Sequence, residues 1–209
     1  MKRKAAGPKQ DGLIKALRQA HPEPEPALTR ASRARVDAWY ADSAPVIHWD
    51  RWSSPIGPLF MAATERGLLR ISFVRADEDP LEELDPRARV IRSRQALGPY
   101  RQELKDYFDG RRLQFDLALD LTGTTAFQRS VLMAIQSIPA GAVQTYRQVA
   151  RAIRKPQASR AVGQALGSNP LPIVLPCHRV TASDGSLGGY AGGLDIKRKL
   201  LKLEGAQLF

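Results

Sequence analysis

The chain has 209 residues, 43% of them apolar, with a net charge of +11 and a pI near 10.2. That apolar share supports a core and excludes a wholly disordered chain, and no apolar run approaches the ~18 residues of a membrane span. A single cysteine, Cys177, excludes an internal disulfide and, with only three histidines, a cysteine-rich zinc site. The positive charge favours a polyanionic partner, most often nucleic acid or an anionic membrane surface. It is unevenly spread: residues 1–35 carry net +6, 36–122 net −3 and 123–209 net +8. The basic C-terminal third is therefore the natural place for phosphate contacts.

Residues 1–44 read as an extension with little local structure. Two short helical stretches, near Leu13–Ala20 and Ala31–Tyr40, flank the proline-alternating HPEPEPAL. The start, MKRKAAGPKQDG, is basic and lacks the apolar stretch of a secretory signal, which predicts a cytoplasmic protein. Residues 45–122 form the first predicted domain. VIHWDRW, PLFMAAT and GLLRISFV are short strand-like runs separated by Ser54-Pro55-Ile56-Gly57-Pro58 and Glu65-Arg66-Gly67, the pattern of an antiparallel meander. A helix is predicted over Arg87–Phe108, with Gly98-Pro99 as a break or kink and Gly110 just past its end. FDLALDL alternates apolar and acidic residues and reads as an extended connector.

Residues 123–209 form the second predicted domain, mainly helical. Thr125 caps a helix running to about Ile138, and Thr145 caps another over Tyr146–Ile153. A third runs over Ala158–Leu166 after the turn Lys155-Pro156-Gln157. Two short helices joined by a tight turn fit a helix-turn-helix unit. Arg147, Arg151, Arg154, Lys155 and Arg160 all fall in it, with no acid among them.

The segment Asn169–Val180 (NPLPIVLPCHRV) holds three prolines that forbid an α-helix and predict an extended path. Cys177 thus follows a buried, strand-like run and sits rigidly beside His178 and Arg179. A thiolate needs a nearby base or positive charge at neutral pH, and these two residues are candidates for both.

Pro176-Cys177-His178-Arg179, preceded by Asn169-Pro170 and followed by Gly188-Gly189-Tyr190-Ala191-Gly192-Gly193-Leu194, strongly resembles the O6-alkylguanine-DNA alkyltransferases. The resemblance runs from about Val46 to the C-terminus. It is most specific over Thr145–Gly205, where Ser-Arg-Ala-Val-Gly and Leu-Glu-Gly also recur in the family order. It implies an α+β fold: a small N-terminal α/β domain with an antiparallel, ribonuclease-H-like sheet, then a mainly helical, winged helix-turn-helix-like domain. It implies direct damage reversal, in which the alkyl group of a flipped O6-alkylguanine moves once and irreversibly to the cysteine. The physics agrees: attack at carbon wants a soft nucleophile, and the target atom lies in the base stack.

Carried over, the resemblance makes Cys177 the acceptor. His178 becomes the base that takes its proton through a water, and Glu204 the group that orients and charges the histidine. Tyr146 presses the phosphate and donates a proton to the base, and Asn169 fixes the turn before the cysteine. Arg160 fills the vacated place in the stack, with Ala158, Ser159 and Arg179 joining Tyr146 at the DNA. Pro172, Tyr190, Ala191 and Gly192 line the base pocket. Some relatives carry serine where this chain has Ala191, so only a backbone N–H is available to O6 here. The cysteines and histidines of the zinc-binding relatives are missing, so no metal or cofactor is expected. The implied partner is double-stranded DNA, entered from the minor groove by a monomer, with no membrane. Three other readings remain: a lesion-binding relative without repair activity, a cysteine hydrolase, and a helix-turn-helix transcription factor. Stoichiometry separates them from alkyl transfer, as zero, many, or sequence-specific binding alone against one alkyl group per molecule.

Overall fold

The computed structural model describes residues 30–35, 44–75 and 78–206. Contacts divide the chain into two units, Met1–Ala44 and Pro45–Phe209. In the first, residues 30–35 are helical, where the sequence predicts a helix from Ala31. The predicted helix near Leu13–Ala20 and the HPEPEPAL stretch lie outside the described residues.

The second unit begins with the predicted meander. Strands β1 (Val46–Ser54), β2 (Gly57–Thr64) and β3 (Gly67–Phe73) pair antiparallel in sequence. The first turn closes as the Ser54 hydroxyl donates to the Gly57 carbonyl at 2.5 Å, with Gly57 at φ +115°. Side chains alternate across a strand, so β2 is covered on both faces. Leu59, Met61 and Ala63 join the main core, while Phe60 and Ala62 pack with Ile47 and Leu84 on the other side.

Two predictions for this half need correction. Arg89–Arg92 is not the start of a helix but a strand, β4, which pairs parallel with β1 and gives the order β3-β2-β1-β4. Its β-branched Val90 and Ile91 suit a sheet edge, and its Arg92 donates to the buried Asp50 carboxylate of β1 at 3.2 Å. The helix, α1, spans Gly98–Phe108 only. Gly98-Pro99 opens it rather than kinking it, because a first-turn proline lacks only an N–H that has no helical partner there.

The connector predicted at Phe115–Leu121 runs alongside β3. The Leu68 N–H donates to the Ala118 carbonyl at 2.9 Å, and Leu68 accepts from the Asp120 N–H at 2.8 Å. Beyond it come α2 (Ala126–Gln136), β5 (Gln144–Thr145), α3 (Tyr146–Ala152), α4 (Ser159–Gly167), β6 (Val180–Thr181) and α5 (Leu194–Leu203). Both predicted caps form: Thr125 accepts from the Gln128 N–H, and Thr145 makes a capping box with Gln148. Helices α3 and α4 are the predicted hairpin, and β5 and β6 pair parallel. One core cluster runs from Leu59 of the sheet through Leu104, Val131, Val149 and Val162 to Leu200 of α5. The architecture is α+β, a sheet followed by a helical half.

At Gly67 the connector crosses close to the backbone of the sheet. Its φ is +140°, and a Cβ there would lie 2.3 Å from the Ala118 carbonyl oxygen. Backbone cannot yield as a side chain can. Gly67→Ala is therefore expected to lower the unfolding free energy by about 2 kcal/mol or more in a denaturant titration. An unchanged midpoint would contradict this.

Candidate active site

The segment before the cysteine is not the extended run that its prolines predict. Residues 171–175 fold back on themselves, the Leu175 N–H donating to the Leu171 carbonyl at 2.8 Å, with Ile173 at φ +78°. Proline forbids the regular helix but not a single turn, and here a side chain closes it. The Asn169 Oδ1 accepts from the Leu171 N–H at 3.0 Å, and its Nδ2 donates to the Leu175 carbonyl at 2.8 Å. The same Nδ2 lies 3.1 Å from the Cys177 sulfur. Cys177, His178 and Arg179 then form one turn of 3-10 helix, all three buried. A β-branched residue at positive φ is strained, and it sits in the turn that delivers the thiol.

Glu204 lies at the C-terminal end of α5, and its carboxylate collects donors from three directions. Its Oε1 accepts from the Tyr107 hydroxyl of α1 at 2.7 Å and faces the His178 Nε2 at 2.8 Å. Arg179 donates through Nε to Oε2 and through Nη2 to Oε1, each at 2.8 Å. Burial alone would push this carboxyl up, but bonds from His178, Arg179 and Tyr107 overcome it and hold it at about 2. The carboxylate is therefore ionised and acceptor-only. Nε2 of His178 must carry the hydrogen, which leaves Nδ1 as a lone-pair acceptor. Nδ1 is buried with no partner. Burial also lowers the His178 pKa, against the pull of Glu204, so the ring is neutral at pH 7.

Arg179 does not belong to the DNA-facing residues. It is 4% exposed, and its remaining Nη1 donates to the Ile138 carbonyl at 2.5 Å. It serves as the counter-ion of Glu204.

Burial raises the pKa of the Cys177 thiol; the Asn169 amide and then the charge of Lys197 oppose it. Lys197 is fully buried in α5, and its ammonium donates to the carbonyls of Val180, at 2.5 Å, and Leu187. Burial lowers its own pKa to about 8, with the sulfur pulling the other way.

Tyr146 opens α3 half-buried, with its hydroxyl beside Gly188. Burial, then a thiolate's charge, raise its pKa, so it stays protonated. A Cβ at Gly188 would lie 2.8 Å from this hydroxyl, so the glycine is required there. Tyr190 packs at right angles to His178, ring centroids 6.3 Å apart, and its hydroxyl is buried without a partner. Pro172, Ala191 and Asn169 share a cavity of about 300 Å³ with Phe73 and Arg75 of the sheet domain. Arg160 is exposed on the second helix of the hairpin, with Ala158 and Ser159 half-buried just before it. Arg147, Arg151, Arg154 and Lys155 are exposed too. Among the described residues, no group of three or more His, Cys, Asp or Glu side chains is placed to hold a metal ion.

Residues 47–121 match the family described as "6-O-methylguanine DNA methyltransferase, ribonuclease-like domain", and residues 126–206 match its "DNA binding domain". The chain is 43% identical over 158 residues to the methylated-DNA--protein-cysteine methyltransferase of Methanosarcina barkeri, covering 76% of this chain and 97% of that one. The chain belongs to the 6-O-methylguanine DNA methyltransferase family. It is also 38% identical over 167 residues to the inducible enzyme of Bacillus subtilis, over 77% of this chain and 91% of that protein. Among solved structures it resembles Mycobacterium tuberculosis OGT in complex with DNA, at 38% identity and a TM-score of 0.68, covering 75% and 92% of the two chains.

Beyond the residues that its family motif marks, the site uses Lys197 and Tyr107, which sequence reasoning missed. The signal for Lys197 was present. Lys197, Leu200, Leu201 and Glu204 recur at i, i+3, i+4 and i+7, so a lysine occupies a core position of α5. Tyr107 read only as an apolar member of α1.

Glu204 and His178 fix how stability depends on pH. The Glu204 pKa falls from its ordinary 4.5 to about 2, so its contribution is complete above pH 4.5 and is lost as pH drops towards 2. His178 acts in the same direction, because an unfolded imidazole takes up a proton below its ordinary 6.5 that the folded one refuses. The unfolding free energy should therefore decline below about pH 6.5 and lose about 3 kcal/mol to Glu204 alone by pH 2. Denaturant titrations at pH 7, 5 and 3 check this, and equal stability across them would contradict it.

Proposed function

We propose that this protein reverses alkylation of guanine at O6 in double-stranded DNA and retains the alkyl group on Cys177 as a thioether. The observation that carries the assignment to Cys177 is the buried thiol bonded to the Asn169 amide, next in chain to a neutral histidine whose Nδ1 has no partner. In this reading Nδ1 takes the thiol proton through a bridging water, and Glu204 stabilises the imidazolium that forms. The sulfur then attacks the alkyl carbon. The S–C bond forms as the C–O6 bond breaks, and the electron pair passes onto guanine. Tyr146, kept protonated by burial, donates a proton to the departing base. A thiolate is a poor leaving group from a thioether, so the alkyl group stays on the sulfur and the protein acts once.

The DNA is met by the basic face of α3 and α4, from the minor groove, where base readout is degenerate and a repair protein needs none. Arg160 enters the stack as the damaged nucleotide leaves it for the pocket of Pro172, Tyr190, Ala191 and Gly192. We further propose a domain boundary at 122/123, a monomer and a cytoplasmic location. A lesion-binding role without repair is disfavoured, because the acceptor sulfur is present among groups that assist its deprotonation.

Mixing the protein with a duplex holding one O6-methylguanine should add one methyl group per molecule by intact mass, and Cys177→Ser should add none. A methyl group on another residue would overturn the assignment.

Arg160→Ala separates flipping from chemistry. Unstacking costs a few kcal/mol and each ~1.4 kcal/mol is tenfold in rate, so duplex repair should slow by about tenfold or more. The reaction of the free O6-alkylguanine base, which needs no extrusion, should be unaffected. Equal slowing of both substrates would assign Arg160 to the chemistry or the fold.

A further inference from the structure

Loop 188–193, which carries Tyr190 and Ala191, has little internal support: its one internal backbone bond runs from the Gly193 N–H to the Tyr190 carbonyl at 3.0 Å. The helical half holds its beginning, through Lys197 on the Leu187 carbonyl and Tyr146 beneath Gly188. The sheet half holds its end. Phe73, the last residue of β3, meets the Tyr190 ring edge-on, centroids 5.7 Å apart. It also presses on Gly192, where a Cβ would lie 2.8 Å from its ring. Two residues on, the Arg75 Nη2 donates to the Ala191 carbonyl at 2.7 Å, while Nη1 is steered by Glu78 at 3.1 Å.

We propose that Arg75 is a positioning residue for the base pocket: through the Ala191 carbonyl it holds the loop in the conformation that receives the flipped base. This rests on the reading of loop 188–193 as a pocket wall. A guanidinium on a carbonyl is a charge-assisted bond, stronger than the neutral bonds a loop makes to itself. The Arg75–Glu78 pair is 59% and 56% exposed, so it contributes little to global stability. Removing Arg75 therefore frees the loop without unfolding the protein. When only a fraction of molecules holds the receptive conformation, apparent affinity falls by that fraction while the rate of the bound complex does not.

The test is single-turnover transfer from an O6-methylguanine duplex at increasing DNA concentration, with the full chain. For Arg75→Ala the half-saturating concentration should rise about three- to tenfold, as expected for one charge-assisted bond. The saturated rate, the single alkyl group accepted per molecule and the melting temperature should hold. Arg75→Lys, whose ammonium can reach the same carbonyl, should recover most of the affinity. With free O6-alkylguanine base the second-order rate constant should fall by the same factor, since the pocket is shared. A loss confined to the duplex would make Arg75 a phosphate contact and overturn the proposal, as would an unchanged half-saturation or a reduced alkylated fraction. A wild-type protein that accepts no alkyl group would overturn the functional reading, and this inference with it.

Discussion

A single buried carboxylate organises the catalytic half of this protein. Glu204 stands at the end of α5 and accepts from Tyr107 on α1, from His178 and twice from Arg179 on the cysteine turn. Three segments distant in sequence are thereby fixed at one point. The arrangement is an ion pair in a dry interior, which is costly to build and far costlier to break on one side. Removing the carboxylate would strand the Arg179 guanidinium, whose other close partners are carbonyls. Glu204 is thus at once the partner of His178 and the counter-ion of Arg179. A rate lost on substitution at Glu204 would mix chemistry with folding, so Arg160 and Arg75, both exposed, separate function from stability more cleanly.

The thiol faces two opposed demands. Burial shields the sulfur from solvent, yet it also disfavours the thiolate. The Asn169 amide and the Lys197 ammonium offset that cost without leaving the interior. Burial makes the Lys197 ammonium a stronger acid than usual, and two carbonyls rather than a carboxylate support its charge. A negative sulfur and a positive lysine each make the other easier to keep charged. Charge separation at this site is therefore easiest at the moment the proton leaves.

Much of this was legible from residue types. The meander followed from alternation and turn residues, and the helix caps from Thr125 and Thr145. The failures share one cause: partners that residue type and periodicity do not reveal overrode the local pattern. Arg89–Arg92 became a strand because an open edge of β1 was available to pair with it. The run before Cys177 turned because the Asn169 side chain closed it. The resemblance put Arg179 at the DNA, and it is buried because Glu204, 25 positions away, needs a counter-charge. Sequence shows which residues carry charge, but their burial depends on partners that only the fold assembles.

The sheet domain reaches the site through Tyr107 of α1 and through its edge strand, β3. β3 receives the connector at Gly67 and Leu68 and delivers Phe73 and Arg75 to the far wall of the pocket. The Ile71 N–H also donates to the Pro170 carbonyl at 2.8 Å, at the start of the cysteine turn. One strand therefore braces both the segment that presents the sulfur and the loop opposite it. Its rigidity comes from β2, packed on both faces, so a shift of the sheet against the helices would change the gap between thiol and loop directly.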